Sequence, residues 1–266
     1  MAMSTTDQKR VYMKVENGIG TIFINRPEKR NALTYDMWTG LAKLVDDCTN
    51  NKEVKVIIFR STTEKAFSAG ADIGEFKTMR YTAEGAEKYN DATMVLEEKI
   101  AKCPKPSIAM ISGFCVGGGC EIAVACDFRF SNETGRFGIT PAKLGLIYNT
   151  PGTKNLVELV GPANAKDILF TGRIIDADEA LHMGLINRIF EKDALEDQTY
   201  DFANLISQNA QMSVRGSKKI INKVLEGELE DSKETAEMVI ESFVSEDYRE
   251  GVTAFLEKRK PNFRYS

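Results

Sequence analysis

Apolar residues follow two alternating rhythms along the first half of the chain. Residues 11–15 and 19–24 are short β-prone runs separated by Asn17-Gly18, which predicts a hairpin. Thr34 stands where a helix N-cap belongs, ahead of Met37, Leu41, Leu44, Val45 and Cys48 at helical spacing. Residues 54–59 form a short apolar run rich in β-branched side chains, as expected of a strand buried on both faces. A helix over about 83–103 leads to a further apolar run at 108–111. Three glycines, a helix-like run at 122–125 and a returning strand at 127–130 follow. Strand–helix alternation of this kind predicts an α/β fold with a largely parallel sheet.

Beyond about residue 151 the rhythm becomes helical. Segments 151–160, 162–170, 177–183, 193–225 and 232–259 read as helices, interrupted by one strand at 185–190. Pro151-Gly152, Gly161-Pro162 and Gly172 punctuate them as turns or caps. No repeat, low-complexity tract or flexible linker divides the chain. The economical reading is one α/β core over 1–200 with a helical C-terminal region over 201–266, whose unpartnered faces suit oligomerisation.

Composition narrows the function classes. Hydrophobic residues make up 42% and charged residues 28%, enough for a sizeable core. A net charge of −4 offers no overall footprint for nucleic acid. The N-terminus has no apolar signal-like run and no segment reaches membrane-spanning length, so a cytoplasmic or matrix-type location is expected. Five cysteines without a CxxC pair read as reduced thiols, with Cys115, Cys120 and Cys126 as small core residues. His182 is the only histidine, which excludes a His-cluster metal site and disfavours Ser–His or Cys–His catalysis.

Candidate chemistry concentrates in two small-residue loops. Residues 113–121 read GFCVGGGCE: a strand entering a helix through glycines bares backbone N–H groups at a helix N-terminus, where negative charge is favoured. Glu121 follows Gly118 by about one turn and reaches the same mouth. A tight turn with a glutamate suited to the helix dipole is the other reading. Residues 65–73, KAFSAGADI, place a second such loop after the strand at 54–59. Strand carboxyl ends of a parallel sheet share one edge, so the two loops can each supply one N–H to an oxyanion hole.

NRPEKRNAL at 25–33, KAFSAGADI at 65–73, GFCVGGGCE at 113–121, LFTGR at 169–173 and AFLEKRKPNF at 254–263 together resemble the crotonase superfamily, the enoyl-CoA hydratase/isomerase family. The resemblance spans about residues 11–263. It implies a core of repeated ββα units wound as a superhelix, a helical C-terminal region, and trimers often paired into hexamers. It implies a CoA-thioester substrate whose carbonyl is held by the N–H groups of Ala71 and Gly118, with no cofactor beyond the CoA of the substrate and no metal. By the same resemblance CoA lies near Arg26, Lys29 and Arg30, with adenine close to Ala69, Asp72 and Ile73. Phe255 and Lys258 resemble residues that approach the CoA of the same or a neighbouring subunit.

One departure bears on the reaction. Family hydratases use two carboxylic acids; Glu121 matches the first, but Pro141 occupies the position of the second. The segment TPAKLGLIYN, with Gly152 and Asn155-Leu156, is similar to the methylmalonyl-CoA decarboxylase branch, which carries a tyrosine at the position of Tyr148; that branch has a histidine where Ala71 stands. Tyr148 reads as a group that orients or protonates, or as a core aromatic. The expectation is an acyl-CoA enzyme using a single carboxyl, decarboxylase- or isomerase-like. A hydratase is the alternative, and a non-catalytic CoA-binding or RNA-binding family member is the third.

Overall fold

The computed structural model describes residues 9–264. Residues 1–8, part of the N-terminal segment read above for a signal-like run, lie outside them. The chain runs β1 (Val11–Glu16), β2 (Ile19–Ile24), α1 (Tyr35–Asn50), β3 (Val56–Ser61), β4 (Ala66–Ser68), α2 (Ile73–Met79), α3 (Ala83–Lys102), β5 (Ser107–Ile111), β6 (Phe114–Val116), α4 (Gly118–Ala125), β7 (Phe128–Asn132) and β8 (Arg136–Gly138). It continues with α5 (Thr150–Thr171), β9 (Ile175–Asp176), α6 (Ala177–His182), β10 (Arg188–Phe190), α7 (Leu195–Ser207), α8 (Gln211–Leu225), α9 (Lys233–Val244) and α10 (Glu246–Leu256).

Two sheets organise the core. The larger has the order β1-β2-β3-β5-β7-β10, parallel except for the β1–β2 hairpin. Its central strands are buried on both faces, as their apolar runs predict: Ile57, Phe59, Ala109 and Ile111 pack into the main core, while Val56, Ile58, Ile108 and Met110 face a second cluster with Leu195 and Ala203 of α7. Residue 200 therefore lies inside a helix packed on the sheet. The smaller sheet, in the order β4-β6-β8-β9, is absent from the sequence reading. Its strands of two or three residues are too short to show a period.

Three expected segments are revised. The helix at 193–225 is two helices, and the side chain of Gln211 closes the break by donating to the carbonyls of Ile206 (3.2 Å) and Asn209 (2.9 Å). The helix at 232–259 breaks at Ser245, whose hydroxyl caps α10. The strand at 185–190 keeps only Arg188–Phe190, paired with β7. α5 runs through 150–171 but is broken at Gly161, where φ is 73° ahead of Pro162.

Candidate active site

The two small-residue loops leave the carboxyl ends of β4 and β6, which are parallel neighbours. The sequence had pointed to the longer strands β3 and β5 instead; the chain first adds β4 and β6, and it is these short strands that aim the loops. Gly70, with φ of 90°, has no room for a side chain: a Cβ there would stand 2.8 Å from the Val116 carbonyl and 3.1 Å from the Gly118 nitrogen. At Gly118 a Cβ would meet the Trp38 ring at 2.5 Å, and it would stand 3.5 Å from the Ala71 nitrogen. The absent side chains thus bring the Ala71 and Gly118 amides side by side.

Neighbouring hydrogen bonds hold that pair in place. Leu33 donates to the Gly70 carbonyl (2.7 Å) and accepts from the Asp72 amide (2.8 Å), so the Ala71 N–H between them stays outside this bridge. The Leu33 carbonyl also accepts from the Tyr89 hydroxyl (3.1 Å), which in turn accepts from the Trp38 indole (3.1 Å). Gly118 opens α4, and the first N–H groups of a helix have no intrahelical acceptor. Two outward amides at a helix N-terminus form a site for a developing oxyanion.

Glu121 lies in the first turn of α4, partly buried. Burial, foremost, and the carboxylate of Glu97 push its carboxyl well above the usual range, against a smaller opposing pull from Arg80. Tyr148, between Pro141–Leu144 and α5, keeps a buried hydroxyl with no hydrogen-bond partner among the described residues. Burial, then Glu121, then Glu97 raise that hydroxyl far above its ordinary value. Tyr148 thus lies within electrostatic reach of Glu121, and a second buried carboxyl, that of Glu97, lies within reach of both.

Glu97 was missed by the sequence reading. It sits fully buried on α3, on the face carrying Tyr89, Ala92, Thr93, Leu96 and Ile100. One oxygen accepts from the Asn149 side chain at 3.2 Å, and burial pushes the carboxyl up to about 7. The available signal was a charged residue within an otherwise apolar helical stripe, beside Glu98, which is exposed.

The residues assigned to CoA divide into two groups. Arg26 is buried and donates to the Ala32 carbonyl (2.9 Å) and the Asp72 carboxylate (2.7 Å). Asp72 also caps α2 by accepting from the Gly74 amide at 2.8 Å; the Arg26 guanidinium, foremost, holds its carboxyl low. These two clamp the loops together. Lys29, Arg30, Ala69 and Ile73 are exposed on the same rim, where the Ala69 amide donates to the Arg30 carbonyl and Arg30 lies over the Phe114 ring. Phe255 and Lys258, also exposed, belong elsewhere in this chain: Phe255 borders a groove with Ser213, Tyr248 and Phe263 among the C-terminal helices. His182 is exposed at the end of α6, and all five cysteines are buried and free.

Comparison with known proteins identifies the family. A family model described as Enoyl-CoA hydratase/isomerase matches residues 14–266. The chain is 37% identical to a short-chain-enoyl-CoA hydratase of Clostridium acetobutylicum, over 94% of this chain and 95% of that one. It is 33% identical to a crotonyl-CoA hydratase of Syntrophomonas wolfei, over 96% and 98%. The solved structure of an enoyl-CoA hydratase/isomerase family protein from Hyphomonas neptunium superposes with a TM-score of 0.94 at 39% identity, covering 97% and 98%. With paired loop amides, a glutamate one turn beyond them and similarity along nearly its whole length, the chain belongs to the enoyl-CoA hydratase/isomerase family.

Proposed function

We propose that this protein hydrates short-chain 2-enoyl-CoA thioesters. The observation that carries the reading is the adjacency of the Ala71 and Gly118 amides to Glu121, whose carboxyl burial raises well above its usual range. Relatives of similar length named as hydratases favour water addition over the decarboxylase- or isomerase-like chemistry expected from Pro141.

The thioester oxygen accepts from both amides. Water adds to the β-carbon, giving up one proton to a base, and the double-bond electrons move toward the thioester as an enolate held in the hole. Glu121 then protonates the α-carbon. Each oxyanion donor is worth about 10²–10³ in rate, and the α4 dipole adds to it. Coenzyme A enters as part of the substrate, with its phosphates over Lys29 and Arg30; the chemistry requires no other cofactor. Assembly as a trimer or hexamer and action in the cytoplasm belong to the same proposal. Among the described residues, no helix is long and apolar enough to cross a membrane.

The test is a panel of CoA thioesters with products resolved by mass spectrometry. Crotonyl-CoA should gain one water. Loss of CO₂ from methylmalonyl-CoA with crotonyl-CoA untouched would replace this reading by decarboxylation, and double-bond migration alone by isomerisation.

A further inference from the structure

Two buried polar atoms near Glu121 have no hydrogen-bond partner among the described residues. One is the Glu97 Oε2, whose sister oxygen is held by Asn149; the other is the Tyr148 hydroxyl. A Cβ built on Gly152 would stand 2.9 Å from the first and 2.5 Å from the second, so glycine in the first turn of α5 lets them approach. Asn149 orients the carboxyl: its Oδ1 caps α5 by accepting from the Gly152 amide at 2.7 Å while its Nδ2 donates to Glu97. A buried carboxylate serving only stability is expected to have both oxygens satisfied. Here one is held and the other left open, on the side shared with Tyr148.

We propose that Glu97 is the second acid–base group of the acyl site, taking the proton of the water that adds to the β-carbon while Glu121 delivers a proton to the α-carbon. This rests on the hydratase reading. Glu121 stands one turn from the oxyanion donor Gly118 and so serves the α-carbon next to the carbonyl. Glu97, which enters from α3 beside Asn149 and Gly152, serves the next carbon along. Two desolvated carboxyls that repel each other share one proton, which supplies one acid and one base from identical groups. Burial raises both carboxyls, Glu97 to about 7 and Glu121 well above its usual range. The titratable groups facing the pair are Tyr148, Cys120, Glu98 and Arg80.

The step balances. A water lone pair forms the bond to the β-carbon as its proton passes to Glu97, and the α-carbon takes the Glu121 proton as the enolate collapses to the thioester. The pair is left with its proton on Glu97. Exchange with solvent after the product leaves resets it, Glu97 losing that proton and Glu121 regaining one.

The test compares wild type, Glu97→Gln and Glu97→Asp in crotonyl-CoA hydration across pH, with exchange of the butyryl-CoA α-proton in D₂O and thermal melting. In Glu97→Gln, kcat should fall by about 10²–10⁴ with KM nearly unchanged, and the rise of kcat through pH 7 should vanish. Deuterium exchange, in which the deprotonated form of Glu121 takes the α-proton and returns deuterium with the two amides holding the enolate, should persist, and the melting temperature should not drop. Glu97→Asp, with its carboxyl withdrawn by one methylene, should keep a fraction of the activity and a displaced pH limb; it also serves as the test if the glutamine variant does not fold. Hydration by either variant within about threefold of an active wild type, with the same pH profile, overturns the role of Glu97 and leaves the hydratase reading standing. Loss of exchange together with hydration also overturns it, because the defect would then be a collapsed site. A wild type that does not hydrate crotonyl-CoA overturns both.

Discussion

The Trp38 ring occupies the space that a side chain on Gly118 would need: an added Cβ would stand 2.5 Å from Cζ2 and 2.7 Å from Cη2. The same indole donates to Tyr89, which braces the Leu33 carbonyl next to Ala71. One aromatic therefore supports both small-residue loops. Gly118→Val should misplace the amide and overpack the core. We expect turnover to fall by about 10²–10³ and stability by about 1–3 kcal/mol, read from kcat and thermal unfolding. A folded Gly118→Val enzyme with unchanged turnover would rule this site out.

Glu121→Gln tests the proton donor. The amide keeps the size of the side chain but cannot deliver a proton, so the loss belongs to the chemical step. kcat should drop by about 10²–10⁴ while thioester binding is retained. Activity within a few-fold of wild type on the best substrate would remove Glu121 from the mechanism.

Burial of Glu97 also predicts a pH-dependent stability difference. Its carboxyl is raised from 4.5 to about 7 in the folded protein, so the folded state binds more protons than the unfolded state between those values. Its contribution to stability is therefore full below about 4.5 and is lost as pH rises through 7. Glu97→Gln should melt higher than wild type at pH 8, by roughly 4–8 °C per kcal/mol for a small domain and less for a chain of this size. The gap should close toward pH 5; a gap independent of pH would mean that the carboxyl titrates normally.

The proposed function places the CoA phosphates over the rim cations Lys29 and Arg30. Lys29→Ala and Arg30→Ala leave the buried Arg26–Asp72 pair intact, so they should raise KM several-fold with little change in kcat. The effect should shrink at high salt, because exposed charges are screened over about 10 Å at 0.1 M. Equal KM values at low salt would place the phosphates elsewhere.

The C-terminal helices carry apolar side chains that the single chain leaves open, among them Ile240, Val244, Phe255 and Leu256, at 65%, 66%, 81% and 73% exposure. Such faces are expected to be covered by other copies of the chain. Sedimentation at micromolar concentration should give a trimer or hexamer, and a stable monomer would contradict it.

The sequence by itself determined what depends on local backbone chemistry. The Asn17-Gly18 hairpin, the Thr34 cap, the doubly buried strands and the two small-residue loops with Glu121 follow from short-range sterics and apolar spacing, while Ala71 and Gly118 were singled out within those loops only by the family resemblance. The tiny second sheet was not legible, because two or three residues cannot display a period and its strands form only by pairing with one another. Nor was Glu97. Position-by-position comparison found Pro141 where a second acid was expected and stopped there. Whether a glutamate on α3 is a solvated surface charge or an unsatisfied carboxyl beside Tyr148 depends on which helices pack against it, and packing among α3, α4 and α5 is decided only in the tertiary structure.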